Sequence, residues 1–374
     1  MNRGLRNEIA LLLGVASLGL LARRRKLGAF LGLVALGLRF LPSAESFSFE
    51  RRSVVITGGS RGLGLALAKQ LLQEGAYVTL LARDAAELGN AEKILDHHAS
   101  VLVLACDVTN PDALAYAFDR VEAHFGRIDM LINNAGTISV GLFETMERED
   151  FDAQLELHLH AVINAVRSVI PALQRSGGGR IVNISSIGGA LPVPHMTPYC
   201  ASKFALAGLS ETLGAELAQA GIRVTTVYPG LMRTGSPIQA VFKGNHEKEY
   251  GWFATGDVMP GVSVSAERAA RSILAGVREG RTRVAYPAVT HLGIIGHALF
   301  PELYAWLASQ ANRLMPKGKT RIRKTGAASK GWLEGQLWYK PFGLIEKKAE
   351  QALNQHDKYD ADFNMGLRKG ISSG

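Results

Sequence analysis

Two cysteines, Cys106 and Cys200, are the only thiols in 374 residues. Their spacing suits neither a disulfide framework nor a metal site, so the chain reads as a protein of a reducing compartment with no bound metal. No internal repeat is evident. Long hydrophobic runs are also missing: residues 9–22 and 27–38 are apolar, but each is shorter than the ~20 residues a spanning helix needs. Acids are outnumbered, 33 against 42 Lys and Arg. That excess sits at the ends: residues 1–52 hold nine basic residues against three acids, and 308–374 hold thirteen against six. The middle of the chain is therefore slightly acidic, and no recognised nucleic-acid-binding fold is visible, so no nucleic-acid partner is expected.

What is present is a pair of residues four apart, Tyr199 and Lys203, with Ser186 thirteen residues upstream. Four apart on a helix means one face, so phenol and ammonium act on the same bound molecule. A nearby cation favours the ionised phenol and moves it toward use at neutral pH. Ser186 supplies a hydrogen bond to an oxygen held beside that phenol. The arrangement suits proton transfer to or from an alcohol oxygen.

Upstream, Ser53, Val54, Val55 and Ile56 read as a buried strand. It runs into Thr57, Gly58, Gly59, Ser60, Arg61, Gly62, Leu63 and Gly64, and then into a strong helix. Strand, glycine turn and helix are the context of a dinucleotide site, where the backbone approaches a pyrophosphate and the helix N-terminus faces the anion. The next strand ends at Arg83, where an arginine favours a 2′-phosphate over a 2′-hydroxyl. Arg61 adds a second cation. Asp84 is a counter-signal, and the plainer reading of Arg83 is a solvated strand end.

With these motifs in order, the chain resembles the short-chain dehydrogenase/reductase family in its single-domain form. Residues 57–64 match that family's TGxxxGxG loop, and Asn133, Asn134, Ala135 and Gly136 match its NNAG segment. Ser186, Tyr199 and Lys203 match its catalytic set, and Pro229-Gly230 its PG turn; the match covers roughly residues 50–290. The resemblance implies an α/β fold, a Rossmann-type doubly wound parallel sheet of about seven strands. Crossovers should be right-handed, with the site at the carboxyl ends of the strands. An N-terminal apolar helical segment and a C-terminal helical extension would flank it.

The resemblance also implies roles. Gly58, Ser60, Arg61, Gly62, Leu63, Gly64, Arg83, Asn134, Pro229 and Thr234 would contact NADP(H), together with Tyr199 and Lys203. Asp107 would hold the adenine, with a helix cap as the alternative. Asn133 would brace the central strands. Tyr199 would be the acid in reduction and the base in oxidation, Lys203 would lower its pKa and bind the nicotinamide ribose, and Ser186 would orient the carbonyl. One departure stands out: His158 falls in the slot of a family Asn that holds a water beside the catalytic lysine. A histidine there replaces that water-holder, tunes the pH profile, weakens the relay, or is a core residue.

Substrate is less legible. Residues 191–196 would form a pocket wall, and roughly 235–262 a mobile lid with Phe242, Tyr250, Trp252 and Phe253. Those aromatics point to an apolar substrate or to packing on the protein itself. Cys200 reads as a packed residue.

The ends suggest residues 1–48 as a membrane-associating segment, 50–290 as the catalytic domain and 291–374 as an extension. The two N-terminal runs, with Arg23, Arg24, Arg25 and Lys26 between them, fit an uncleaved anchor, a re-entrant hairpin or an interfacial helix. A helical hairpin packed on the domain is the alternative. A cleaved signal would strand the enzyme away from NADP(H), so the domain should face the cytoplasm. Residues 317–324 fit anionic lipid or a solvated loop. Residues 288–315 fit a hydrophobic substrate entrance, a lipid contact or a subunit contact. Residues from Trp332 on hint at an interfacial segment, and the final stretch at loose order. The resulting expectation is a membrane-associated NADP(H)-dependent oxidoreductase for a lipophilic ketone or secondary alcohol, with a homo-oligomer possible. The rivals are a non-catalytic NADP(H)-binding sensor or scaffold, and a soluble reductase whose tails serve oligomerisation.

Overall fold

The computed structural model describes residues 3–21, 25–40 and 46–355. Seven apolar runs form one parallel sheet: β1 Ser53–Thr57, β2 Tyr77–Ala82, β3 Val101–Ala105, β4 Met130–Asn133, β5 Gly179–Ile184, β6 Ile222–Pro229 and β7 Arg283–Tyr286. Their spatial order is β7-β6-β5-β4-β1-β2-β3. The central strands are almost continuously hydrophobic because both faces are covered. Val54 and Ile56 pack with helices Gly62–Gln73 and Ala266–Arg278 on one face. Val55 and Leu131 pack with helices Pro111–Phe125 and Ala161–Arg175 on the other. The order reverses between β1 and β4, which opens a crevice at the carboxyl ends of the strands where such sheets bind ligands.

The N-terminal apolar runs form two helices, Arg3–Leu21 and Arg25–Phe40, that pack on each other. Ser17 Oγ ties them by donating to the Gly28 carbonyl at 2.8 Å. Leu11, Leu12, Val15, Leu18, Phe30 and Leu33 remain exposed. Of the basic cluster between the runs, Arg23 and Arg24 lie outside the described residues. Among the described residues, no helix is long and apolar enough to cross a membrane.

Beyond β7, helix Ala288–Leu299 runs through position 290, so the expected domain boundary falls inside an element. Pro301 starts the next helix, Pro301–Leu314, because its missing N–H is tolerated in a first turn. Lys324–Thr325 then pairs antiparallel with Val241–Phe242, which pairs parallel with Ser139–Val140. Part of the basic run is held by acids of the protein itself: Arg321 lies 4.0 Å from Glu147 and Arg323 lies 3.9 Å from Asp150.

The expected mobile lid is instead clasped by this extension. Tyr250, on helix His246–Val258, donates to Glu346 at 3.0 Å, and Tyr339 donates to the other oxygen of Glu346. Trp332 and Leu333 close on Gly251. Phe242, Tyr250 and Phe253 are buried in one cluster with Leu333 and Tyr339 and with Met196, Tyr199 and Cys200, so these lid aromatics pack on the protein itself. The extension is ordered as helix through Lys340–Ala352. The expectation of loose order beyond it falls on residues 356–374, outside the described residues.

Candidate active site

The glycine turn follows β1 directly, and its glycines are required by space. A Cβ on Gly64 would stand 2.3 Å from the Gly58 carbonyl oxygen, and one on Gly58 would stand 2.8 Å from Ala135 Cα. Gly58 and Gly62 also adopt positive φ, at 62° and 57°. The turn delivers the N-terminus of helix Gly62–Gln73 to the crevice, where the helix dipole favours an anion, although the Gly62 N–H itself is taken by the Leu353 carbonyl at 2.9 Å.

Asn134 holds the segment after β4 against this turn. Its amide donates to the carbonyls of Thr57 and Gly58 at 3.1 and 2.9 Å, and its own N–H reaches Thr57 Oγ1 at 3.0 Å. The amide N–H groups of this side chain thus build the cradle. Asn133 donates to Asn183 Oδ1 at 2.8 Å and links β4 to β5. Pro229 ends β6, and Gly230 has no room for a side chain, since its Cβ would lie 2.1 Å from Thr290 Oγ1. Thr234 is buried, with its hydroxyl accepting from Ser236 N–H at 3.3 Å.

The charged positions around the turn have local structural roles. Asp84 is an N-cap whose side chain accepts from Glu87 N–H at 2.8 Å, because a carboxylate satisfies a free donor of the helix Ala85–Ile94. The acid that reaches the glycine turn is Glu87. It accepts from Ser60 Oγ at 2.8 Å and from Arg61 at 2.5 Å. Sequence reasoning missed Glu87; its place three residues after Asp84 reads as a capping pattern, which hides the outward reach of its side chain. Arg83 is exposed at the end of β2. Asp107 is exposed after β3 and turns the chain by accepting from Thr109, while the cap of the following helix is Asn110.

Ser186 follows β5, and helix Thr197–Glu216 carries both Tyr199 and Lys203; all three are buried at 9% exposure or less. Ser186 stands beside the Tyr199 hydroxyl, and its Oγ accepts from the Gly188 N–H at 3.1 Å. Lys203 Nζ donates to the Ile184 carbonyl at 2.9 Å and lies 5.8 Å from the Tyr199 ring centroid. The anticipated lowering of the phenol by the lysine is not found. Burial raises the Tyr199 pKa, the Ser186 hydrogen bond opposes this, and the nearby Cys200 and Asp257 add to the rise. Burial also lowers Lys203, to about 7. Asp257, not singled out by the sequence, is itself pushed well up by burial and by Glu346.

His158 sits on a single π-turn, Glu156–His160, and is 1% exposed. Its Nε2 accepts from the Thr137 N–H at 3.2 Å. The ring proton is therefore on Nδ1, which donates to Ser202 Oγ at 2.8 Å, and Ser202 in turn donates to the Tyr199 carbonyl at 2.8 Å. Burial and the neighbouring Lys203 hold its pKa well below the ordinary value. Both nitrogens are committed to protein partners, which favours the core-residue alternative for His158 over a titrating one. Cys200 is buried, its thiol raised by burial, as expected of a packed residue.

On the substrate side, helix Pro301–Leu314 meets the 191–196 segment: Tyr304 donates to the Pro192 carbonyl at 2.6 Å. Leu292, Leu299, Phe300, Leu303, Trp306 and Leu307 are exposed along this helical pair. Among the described residues no group of His, Cys, Asp and Glu could hold a metal ion.

A family model described as short chain dehydrogenase matches residues 52–241. A 3-ketodihydrosphingosine reductase of Bacteroides thetaiotaomicron is 35% identical over 182 residues, 49% of this chain and 64% of its own length. The oxidoreductase SadH of Mycobacterium tuberculosis is 33% identical over 241 residues, 63% of this chain and 86% of its own. Among solved structures, the L-sorbose reductase of Gluconobacter frateurii, complexed with NADPH and L-sorbose, is 28% identical with a TM-score of 0.57, covering 64% of this chain and 97% of that one. Other neighbours of the same fold were solved with NADP or with NAD.

Proposed function

The chain belongs to the short-chain dehydrogenase family, and from that premise we propose that it is an NADP(H)-dependent oxidoreductase for a lipophilic ketone or secondary alcohol, held at a membrane surface. The observation that carries the reading is the burial of Ser186, Tyr199 and Lys203 together beside the glycine cradle. The turn suits a dinucleotide, since Gly58 and Gly64, where a Cβ would strike Ala135 and the Gly58 carbonyl, permit the tight bend that brings a helix N-terminus to the crevice. Bound there, a nicotinamide supplies or accepts the hydride. Tyr199 gives its phenolic proton to the forming alkoxide in reduction and takes it back in oxidation. Ser186 donates to the same oxygen, and Lys203 supplies positive charge as the phenol ionises. His158 is a positioning residue that acts through Ser202 and the Tyr199 carbonyl.

The preference for NADP(H) rests on Arg83 at the end of β2, with Arg61 as a second cation partly neutralised by Glu87. A lipophilic substrate is supported by the exposed apolar helices beside Pro192. The named activity of the Bacteroides relative points the same way. Attachment to a membrane surface, with the catalytic part toward the cytoplasmic NADP(H) pool, is supported by the exposed leucines of the N-terminal helical pair.

The test is oxidation of NADPH and NADH across ketones of increasing chain length. Turnover that prefers NADPH, rises with chain length and is lost in Tyr199→Phe supports the reading. Tight dinucleotide binding with no turnover on any carbonyl would favour the sensor or scaffold alternative.

A further inference from the structure

The last described residues return to the glycine turn. Helix Lys340–Ala352 ends beside it, and Leu353, 4% exposed, joins the main core. The Leu353 carbonyl accepts from the Gly62 N–H at 2.9 Å. Asn354 adopts φ 58° and donates its side-chain amide to the carbonyls of Ser60 and Glu87, both at 2.9 Å. These bonds fix the backbone so that Gln355, 5% exposed, faces Gly62. A Cβ built on Gly62 would stand 3.2 Å from Gln355 Nε2 and 3.9 Å from Thr234 Cβ. The same stretch closes on the neighbouring loop, where a Cβ on Gly235 would lie 2.9 Å from Glu350 Cα.

Gln355 thus occupies the gap between the glycine turn and the Thr234 loop, and its Oε1 is buried without a hydrogen-bond partner. A buried amide oxygen with no donor is costly, and its presence calls for a ligand hydroxyl or N–H that satisfies it. The helix N-terminus opposite favours an anion. A glutamine amide carries both donors and an acceptor, so it serves a pyrophosphate with its N–H groups and an adjoining ribose hydroxyl with its oxygen.

We propose that Gln355 is a cofactor-binding residue, and that residues 353–355 form a strap closing the dinucleotide site over the pyrophosphate. This rests on the dinucleotide-dependent reading given above, and it gives the C-terminal extension a function beyond packing.

The test is the equilibrium dissociation constant of NADPH for the full chain, read from nicotinamide fluorescence, for wild type, Gln355→Met and Gln355→Glu. Methionine keeps the volume without the hydrogen bonds, so packing and thermal unfolding of the free protein should be preserved. We expect NADPH to bind about tenfold more weakly to the Met variant, the worth of one hydrogen bond to a charged group, and more weakly still to the Glu variant. Adenosine 2′-monophosphate, which lacks the pyrophosphate, should bind all three equally. Equal NADPH binding by the three proteins, or tighter binding by the variants, would overturn the proposal. Failure of wild type to bind either NADPH or NADH would overturn it together with the reading it rests on.

Discussion

His158 Nδ1 lies 2.8 Å from Ser202 Oγ, and that hydroxyl is committed to the carbonyl of Tyr199. The histidine therefore sets the backbone from which the phenol projects, while its other nitrogen anchors Thr137 beside Gly136. A charged imidazolium would put a proton against the Thr137 N–H and stand near Lys203, so the neutral ring is the form this site accepts.

Replacing His158 with Phe leaves the Thr137 N–H without its partner, at about 1–3 kcal/mol, and takes from the Ser202 hydroxyl one of its two hydrogen bonds. We expect a clear fall in the unfolding temperature and in kcat, with the pH midpoint of the rate unmoved. A shifted midpoint would mean that His158 titrates in the reaction after all.

Tyr199→Phe removes the proton donor and leaves the cradle intact. Activity should fall about 10²- to 10⁴-fold, the usual worth of a general acid, while dinucleotide affinity changes little. Direct titration with NADPH alongside steady-state rates separates the two effects.

The pH dependence follows from Lys203 and Tyr199. The ammonium is present below about 7 and is lost as pH rises through that value, so reduction should decline across neutrality. Oxidation needs the phenolate, which the raised phenol pKa makes scarce, so the oxidative rate should climb throughout the alkaline range. Lys203→Met should flatten the reductive profile at its lower plateau. A reductive rate that rises through neutrality in wild type would contradict this assignment.

Arg83→Asp replaces a cation at the end of β2 with a carboxylate. It should lower the ratio of kcat/KM for NADPH over NADH by about tenfold or more, given about 1.5–3 kcal/mol for a charge-assisted hydrogen bond. No change in that ratio would move the 2′-phosphate contact elsewhere, or remove it.

The motifs that reach the crevice were legible because each is local: a strand feeding Gly58 to Gly64, or Tyr199 and Lys203 one turn apart. Their shared location follows from the parallel sheet, which carries every such loop to one edge. What escaped was set by pairing across the chain. Glu346 meeting Tyr250, and Asn354 meeting Ser60, join residues about a hundred or several hundred positions apart, with no periodicity to announce them. That is why a lid read as mobile is clasped. The tautomer of His158 was equally hidden, because Thr137 and Ser202 fix it only in three dimensions.

The clasp itself carries a pH signature. Asp257 and Glu346 are both raised by burial, Asp257 also by Glu346, so the folded protein binds protons that the unfolded chain has already released. Their contribution is therefore fully present below the ordinary carboxylate range and lost as pH rises through the folded values. Other ion pairs in the molecule act in the opposite sense, so the difference between proteins is the quantity to read. Asp257→Asn removes one ionisation and should gain unfolding temperature relative to wild type at pH 8 but not at pH 4. Equal offsets at the two pH values would show that Asp257 is charged in the folded protein, and that Tyr199 works beside a carboxylate rather than a neutral acid.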